Sequence, residues 1–289
     1  MNFRYLLIDT SQQMRFYRRL DGWRASYLSL FSGHAEESLI DIAPLLIDVS
    51  DDDETCERIV EEATRIGRLK PCVSLLESPW SLDELAAHLG QFHLVRMPDG
   101  RMMVMRWYDT RILPTWFDLL SIGQREIFME PVAAWTYFDR FGESRSLPVV
   151  DSDGASASSV VLPFRLDEAQ ASALFAASEP DGLIMELRKV IPDEMRRIPY
   201  AVLHPFVSEQ LRAAYQHGLD KLSDQVQYLL LALYTSGNFV GHHESRKRLA
   251  TPAQAHEQSF EDWVGGLPDD IWAMGQPLWA ETGSVEREG

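Results

Sequence analysis

The residues best suited to chemistry lie in one short stretch, Arg101 to Arg111, which reads RMMVMRWYDTR. Arg106, Tyr108 and Asp109 fall within four positions and could bind an anionic substrate or move a proton. The same side chains could instead bind one another. A desolvated guanidinium requires a carboxylate, and Asp9, at the end of the first apolar run, is a candidate beside Asp109. Alternation along RMMVMRWY puts Met102, Val104, Arg106 and Tyr108 on one face and Met103, Met105 and Trp107 on the other. Both faces are largely apolar, which predicts a central, buried strand and favours a structural lock over catalysis.

A second cluster is His242, His243 and Glu244, with His256 and Glu257 further on. Adjacent histidines point to opposite faces of a strand or lie about 100° apart on a helix, and the i, i+4 pair of a zinc helix is missing. The pattern reads as a polar loop that follows a helix stop at Gly237 and runs into the basic SRKRL. Ser50 to Glu54, SDDDE, reads as the N-cap and acidic first turn of a helix. Asp151 to Gly154, DSDG, resembles the start of a calcium loop, but the twelfth position is Leu162 where a Glu is needed. The chain contains no phosphate-binding GxxxxGK[ST] or GxGxxG and no GxSxG elbow. We therefore expect no catalytic residue, no metal and no cofactor.

The 289 residues carry a formal net charge of −17, which opposes binding to a phosphate backbone and argues against nucleic acid. Cys56 and Cys72 form no CxxC and read as buried, reduced thiols. The apolar run before Asp9 is too short for a signal-peptide core, and the longest one, Tyr228 to Tyr234, is far below the roughly 20 residues that span a bilayer. These features lead us to expect a cytoplasmic, soluble chain that does not engage membrane.

Stepwise along the chain, FRYLLI, SYLSLF, LLIDV and CVSLLES predict strands. Helices are expected over TSQQMRFYRRL, over residues 53–66 with Gly67 as C-cap, and from Ser81, whose Glu84 suits a capping box. FHLVRM and RMMVMRWY, joined through PDG, predict a hairpin. The stretch 146–163, small and polar between Pro148 and Pro163, reads as a linker. Beyond it, LDEAQASALFAA, GLIMELRKVI, SEQLRAAYQHG and SDQVQYLLLALYTSG predict helices, the last two forming an αα-hairpin. The expected architecture is thus α+β or α/β: a mixed-sheet lobe over residues 1–145, then a helical lobe over 164–289 with an irregular tail.

Four blocks in order resemble the domain-of-unknown-function family 4123, the type VI secretion effector adaptors or chaperones. They are YLLIDTS, YLSLFSGHAEESLIDIAPLLIDV, RWYDTRIL and IFMEPVAAW, and residues 211–240 are similar to the helical hairpin of such adaptors. The matched positions are Arg106, Tyr108, Asp109, Arg111, Pro131 and Trp135. Thr110 stands where the family usually has Pro, and Glu130 where it has Gly. The resemblance implies a cytoplasmic, bacterial, non-enzymatic chaperone that binds an effector toxin and helps place it on the VgrG spike or its tip protein. Trp263, Trp272 and Trp279 are then candidate anchors for protein–protein interaction, or else simply pack the tail onto the helical lobe. The competing readings are a hydrolase or other small-molecule enzyme using the Arg106–Asp109 corner or the His242–His256 region, and a toxin-immunity protein.

Overall fold

The computed structural model describes residues 2–148, 150, 160–251 and 257–281. Contacts divide the chain into two compact units, Met1–Ala177 and Ser178–Gly289.

The first unit is built on a six-stranded sheet. Its strands are β1 (Phe3–Asp9), β2 (Tyr27–Ser29), β3 (Pro44–Asp48), β4 (Val73–Ser78), β7 (Ala134–Phe138) and β8 (Ser144–Ser146), in spatial order β2-β3-β1-β4-β7-β8. A separate hairpin pairs β5 (Leu94–Arg96) with β6 (Met102–Val104). Helices α1 (Tyr17–Trp23), α2 (Glu54–Gly67), α3 (Leu82–Gly90), α4 (Leu113–Leu119) and α5 (Ile122–Met129) connect the strands. Strand β1 is buried from Tyr5 to Asp9 because it lies between β3 and β4 and both its faces are covered.

The expected mixed sheet is antiparallel between all neighbouring strands. The reason is topological. The chain does cross over a helix between β3 and β4, but β1 occupies the place between them, so each meets only an antiparallel partner. The α-plus-β arrangement is otherwise as expected. A second correction concerns β6, which is neither long nor central. It ends at Val104, belongs to the two-stranded hairpin, and leaves Met102 45% and Val104 40% exposed.

Local chemistry explains the helix boundaries. Asp53 caps α2 by accepting from the Cys56 N–H at 2.7 Å. Ser81 and Glu84 close a full capping box on α3, and Ser121 and Gln124 do the same on α5. Gly67 is the last residue of α2 rather than its left-handed cap. Its requirement is space, since a Cβ there would stand 2.3 Å from the Phe138 ring.

The unit boundary lies inside α6 (Glu168–Val190), between Ala177 and Ser178, and not in the stretch 146–163. Phe164, Leu166, Ala171 and Leu174 belong to the first unit's core, and apolar burial carries them past the polar linker. The two helices expected over 166–191 are one, with Pro180 inside it.

The second unit continues with α7 (Pro192–Arg196), α8 (Tyr200–Gln216), α9 (Leu222–Thr235) and α10 (His243–Leu249). Helix α8 starts well before Ser208, whose hydroxyl bonds the His204 carbonyl instead of capping, and Lys221 takes the N-cap position of α9 with no side-chain cap bond. The C-terminal stops are as expected, with Gly218 and Gly237 at φ of 71° and 80°. The tail expected to be irregular forms three short helices, α11 (Phe260–Gly265), α12 (Asp269–Trp272) and α13 (Leu278–Glu281).

Candidate functional site

The Arg106–Arg111 corner assembles where β1 ends and α4 begins. Asp9, the last residue of β1, is fully buried, and its N–H donates to the Cys72 carbonyl at 2.9 Å. Its Oδ1 accepts the Ser11 N–H at 3.0 Å, turning the chain out of the sheet. Its Oδ2 accepts Arg106 Nη2 at 2.7 Å, and the same nitrogen donates to Ser11 Oγ at 2.6 Å. Arg106 Nη2 also lies 3.6 Å from Asp109 Oδ2.

Asp109 is equally buried and is held from its other side by Arg111. Arg111 Nε donates to Oδ1 at 3.0 Å and Nη2 to Oδ2 at 2.6 Å, a bidentate fork closed by the Arg111 N–H at 3.1 Å. The Asp109 carbonyl accepts from the Ile112 and Leu113 N–H groups and so starts α4. Two buried carboxylates therefore face two guanidinium groups, with side-chain exposures of 39% for Arg106 and 29% for Arg111.

Burial works against the charge on Arg106, but Asp9 and Asp109 outweigh it and hold its pKa above the ordinary value. Burial, and then the Asp9 charge, push the Tyr108 phenol upward. The Cys72 thiol is pushed up to about 12, mainly by burial and next by Asp9. In this corner the phenol and the thiol are held neutral and both carboxylates are paired. Asp9, for which the sequence offered only a position at a strand end, is the main partner of Arg106.

Thr110 gives this corner ties that Pro could not. Its N–H donates to the Pro71 carbonyl at 3.2 Å and its hydroxyl to the Phe138 carbonyl at 2.5 Å. Glu130 lies in the right-handed helical region, so no glycine is needed there. Pro131 is buried beside it. Trp135, on β7, meets Trp107 edge-on at 5.8 Å and stacks on Phe128 at 5.5 Å, beneath the corner.

His242 and His243 belong to the second unit. His242 caps α10, its Nδ1 accepting the Glu244 N–H, and its Nε2 lies 3.4 Å from Asp270 Oδ2. His243 and Glu244, expected in a loop, open α10, which runs on through the basic residues, with Arg248 buried and bonding the Gln258 carbonyl. His256 and the Asp151–Gly154 segment lie outside the described residues. Among the described residues, no group of three or more His, Cys, Asp or Glu could hold a metal ion. No described helix is long and apolar enough to cross a membrane.

The three tail tryptophans pack inward. Trp279 is 7% exposed and meets Tyr234 of α9 edge-on at 4.8 Å, Trp272 meets the same ring at 5.5 Å, and half-buried Trp263 lies 5.1 Å from Phe260. One cluster went unread in the sequence. Buried His93 bonds Glu36 Oε2 through Nε2 at 3.0 Å, with His34 beside it at 4.9 Å between ring centroids. Burial holds the His93 pKa below the ordinary value, while the His93 hydrogen bond lowers that of Glu36. Isolated histidines carry no periodic signal, so only folding brings these three together.

No curated protein and no solved structure matches the chain. Residues 4–126, from β1 into α5 and including Asp9, Arg106, Tyr108, Asp109 and Arg111, match the family described as Domain of unknown function (DUF4123).

Proposed function

We propose that this chain is a bacterial, cytoplasmic adaptor that binds a type VI secretion effector and helps load it onto the VgrG spike, through binding alone. The observation that carries the reading is the family match over residues 4–126, whose matched polar residues are spent on one another. Asp9 and Asp109 are sealed by Arg106 and Arg111, so the corner supports the fold of the lobe and leaves recognition to its surface. A stable interface takes about 800 Å² a side, which a unit of this size can supply.

The test is a tagged pull-down from the native host with mass spectrometry of the co-purifying chains. Recovery of a toxin-like protein together with a spike component is the expected result. A toxin without any spike component assigns the chain to immunity instead. Recovery of the protein alone, even after crosslinking, overturns the adaptor reading.

A further inference from the structure

The β5–β6 hairpin has two edges, and the chain itself has already extended one of them. The Arg96 N–H donates to the Phe164 carbonyl at 2.8 Å and the Leu166 N–H to the Arg96 carbonyl at 2.9 Å, so residues 164–166 add to β5. Among the described residues the other edge, β6, is open. Met97 N–H donates to the Arg101 carbonyl and Met105 N–H to the His93 carbonyl, each at 2.8 Å. In an antiparallel ladder the bonded pairs recur at every second residue, which puts Val95 and Met103 in the next bonded pair. The N–H and C=O groups of Met102 and Val104 therefore point away from β5, as those of Arg96 do on the opposite side.

Edge strands of this kind are usually guarded by charge. The main sheet's β8 edge follows that rule, with Arg145 at the centre of three exposed residues and paired to Asp139 and Glu143. Strand β6 does not. All three of its residues are apolar, and the two whose backbones face outward also expose their side chains. Beside it lies a cavity of about 460 Å³ lined by Met97, Met102, Met103, Ala171 and Phe175, with Asp99, Arg101 and Glu168 at its rim. Arg101 is neutralised by Asp99 at 2.6 Å, whereas Glu168 has no ion-pair partner among the described residues.

We propose that the open β6 edge and this methionine-lined cavity form a docking site for an extended segment of a partner protein, with apolar residues alternating with cationic ones. The segment adds antiparallel to β6 and bonds the outward groups of Met102 and Val104. Its inward apolar side chain enters the cavity between Met103 and Phe175, where flexible thioethers adapt to aliphatic or aromatic shapes. Glu168 and the net charge of −17 select cations in that segment. A second copy of this acidic chain is disfavoured by the same charge.

For the partner's biological identity the inference rests on the adaptor reading; the binding test does not, so the two can fail separately. The probe is a capped nine-residue peptide alternating lysine with valine and a central phenylalanine, titrated against the full chain by fluorescence anisotropy. Binding is expected, with new hydrogen-exchange protection at the Met102 and Val104 amides and none at Met103. Val104→Pro removes one outward donor while sparing the internal ladder, and should weaken binding about tenfold or more with unchanged melting. Phe175→Ser should weaken the phenylalanine peptide more than an all-valine one, and Glu168→Lys should cost about threefold. A peptide N-methylated along its pairing edge should not bind.

Equal binding of the N-methylated peptide, or of a peptide with glutamate in place of lysine, would overturn the proposal. So would absence of any binding, or protection elsewhere than β6. A dimer in solution that Val104→Pro converts to monomer would hand the edge to a second copy and overturn it as well.

Discussion

Replacing Arg106 by Ala isolates the lock. Asp9 is fully buried and its carboxylate receives two hydrogen bonds, from Arg106 Nη2 at 2.7 Å and from the Ser11 N–H at 3.0 Å. Without Arg106 the carboxylate keeps only the neutral donor. Breaking a fully buried ion pair costs about 3–5 kcal/mol, through the charge that is left behind. Arg106 is 39% exposed, so water reaches part of the vacated space and offsets some of that cost, leaving about 2–3 kcal/mol. For a unit of this size each kcal/mol moves the melting temperature by about 2–4 °C, so the transition should fall by about 4–12 °C. Differential scanning calorimetry measures this, and a cycle with Asp9→Asn measures the coupling, expected to be at least about 1.5 kcal/mol. Arg106→Lys should recover only part of the loss, because a compact, strongly hydrated ammonium would have to reach both Asp9 Oδ2 and Ser11 Oγ, which Arg106 Nη2 holds together. An Arg106→Ala chain that melts within about 1 °C of the parent, with no coupling to Asp9, would refute the reasoning.

Other perturbations probe the remaining structure. Burial depresses the pKa of both His88 and His93 in the folded state, so their neutral forms contribute stability that is full above the unfolded value near about 6.5 and is lost as pH falls through the lowered folded values. Urea midpoints should therefore drop as pH falls below about 6.5, and His93→Gln should flatten that slope. Gly142 turns β7 into β8 at φ 78°, where a Cβ would lie 2.2 Å from the Arg68 carbonyl oxygen. Gly142→Ala should destabilise the first unit by about 1–3 kcal/mol in urea denaturation, and a neutral result would mean that the turn readily changes shape. Trp279→Ala should destabilise the second unit by about 3 kcal/mol through lost packing on Tyr234. Unchanged stability combined with loss of a bound partner would restore the tail as an anchor.

What the sequence determined by itself is local. The caps at Asp53 and Ser81, the helix stops at Gly218 and Gly237, the hairpin around Pro98–Gly100 and the helical second half all follow from interactions within a few residues. The need of Arg106 for a carboxylate was legible as well, because a partly desolvated guanidinium has few alternatives. Tertiary structure decided everything that depends on distant segments meeting. It placed β1 between β3 and β4 and so made the sheet antiparallel, and it chose Asp9, 97 residues away, over the nearer Asp109 as the main partner of Arg106. It also took β6 out of the core, because an apolar alternating run looks the same whether its strand is central or at an edge. That ambiguity is physical: side-chain pattern sets which faces of a strand are apolar, while only the other strands and helices decide which edges are covered.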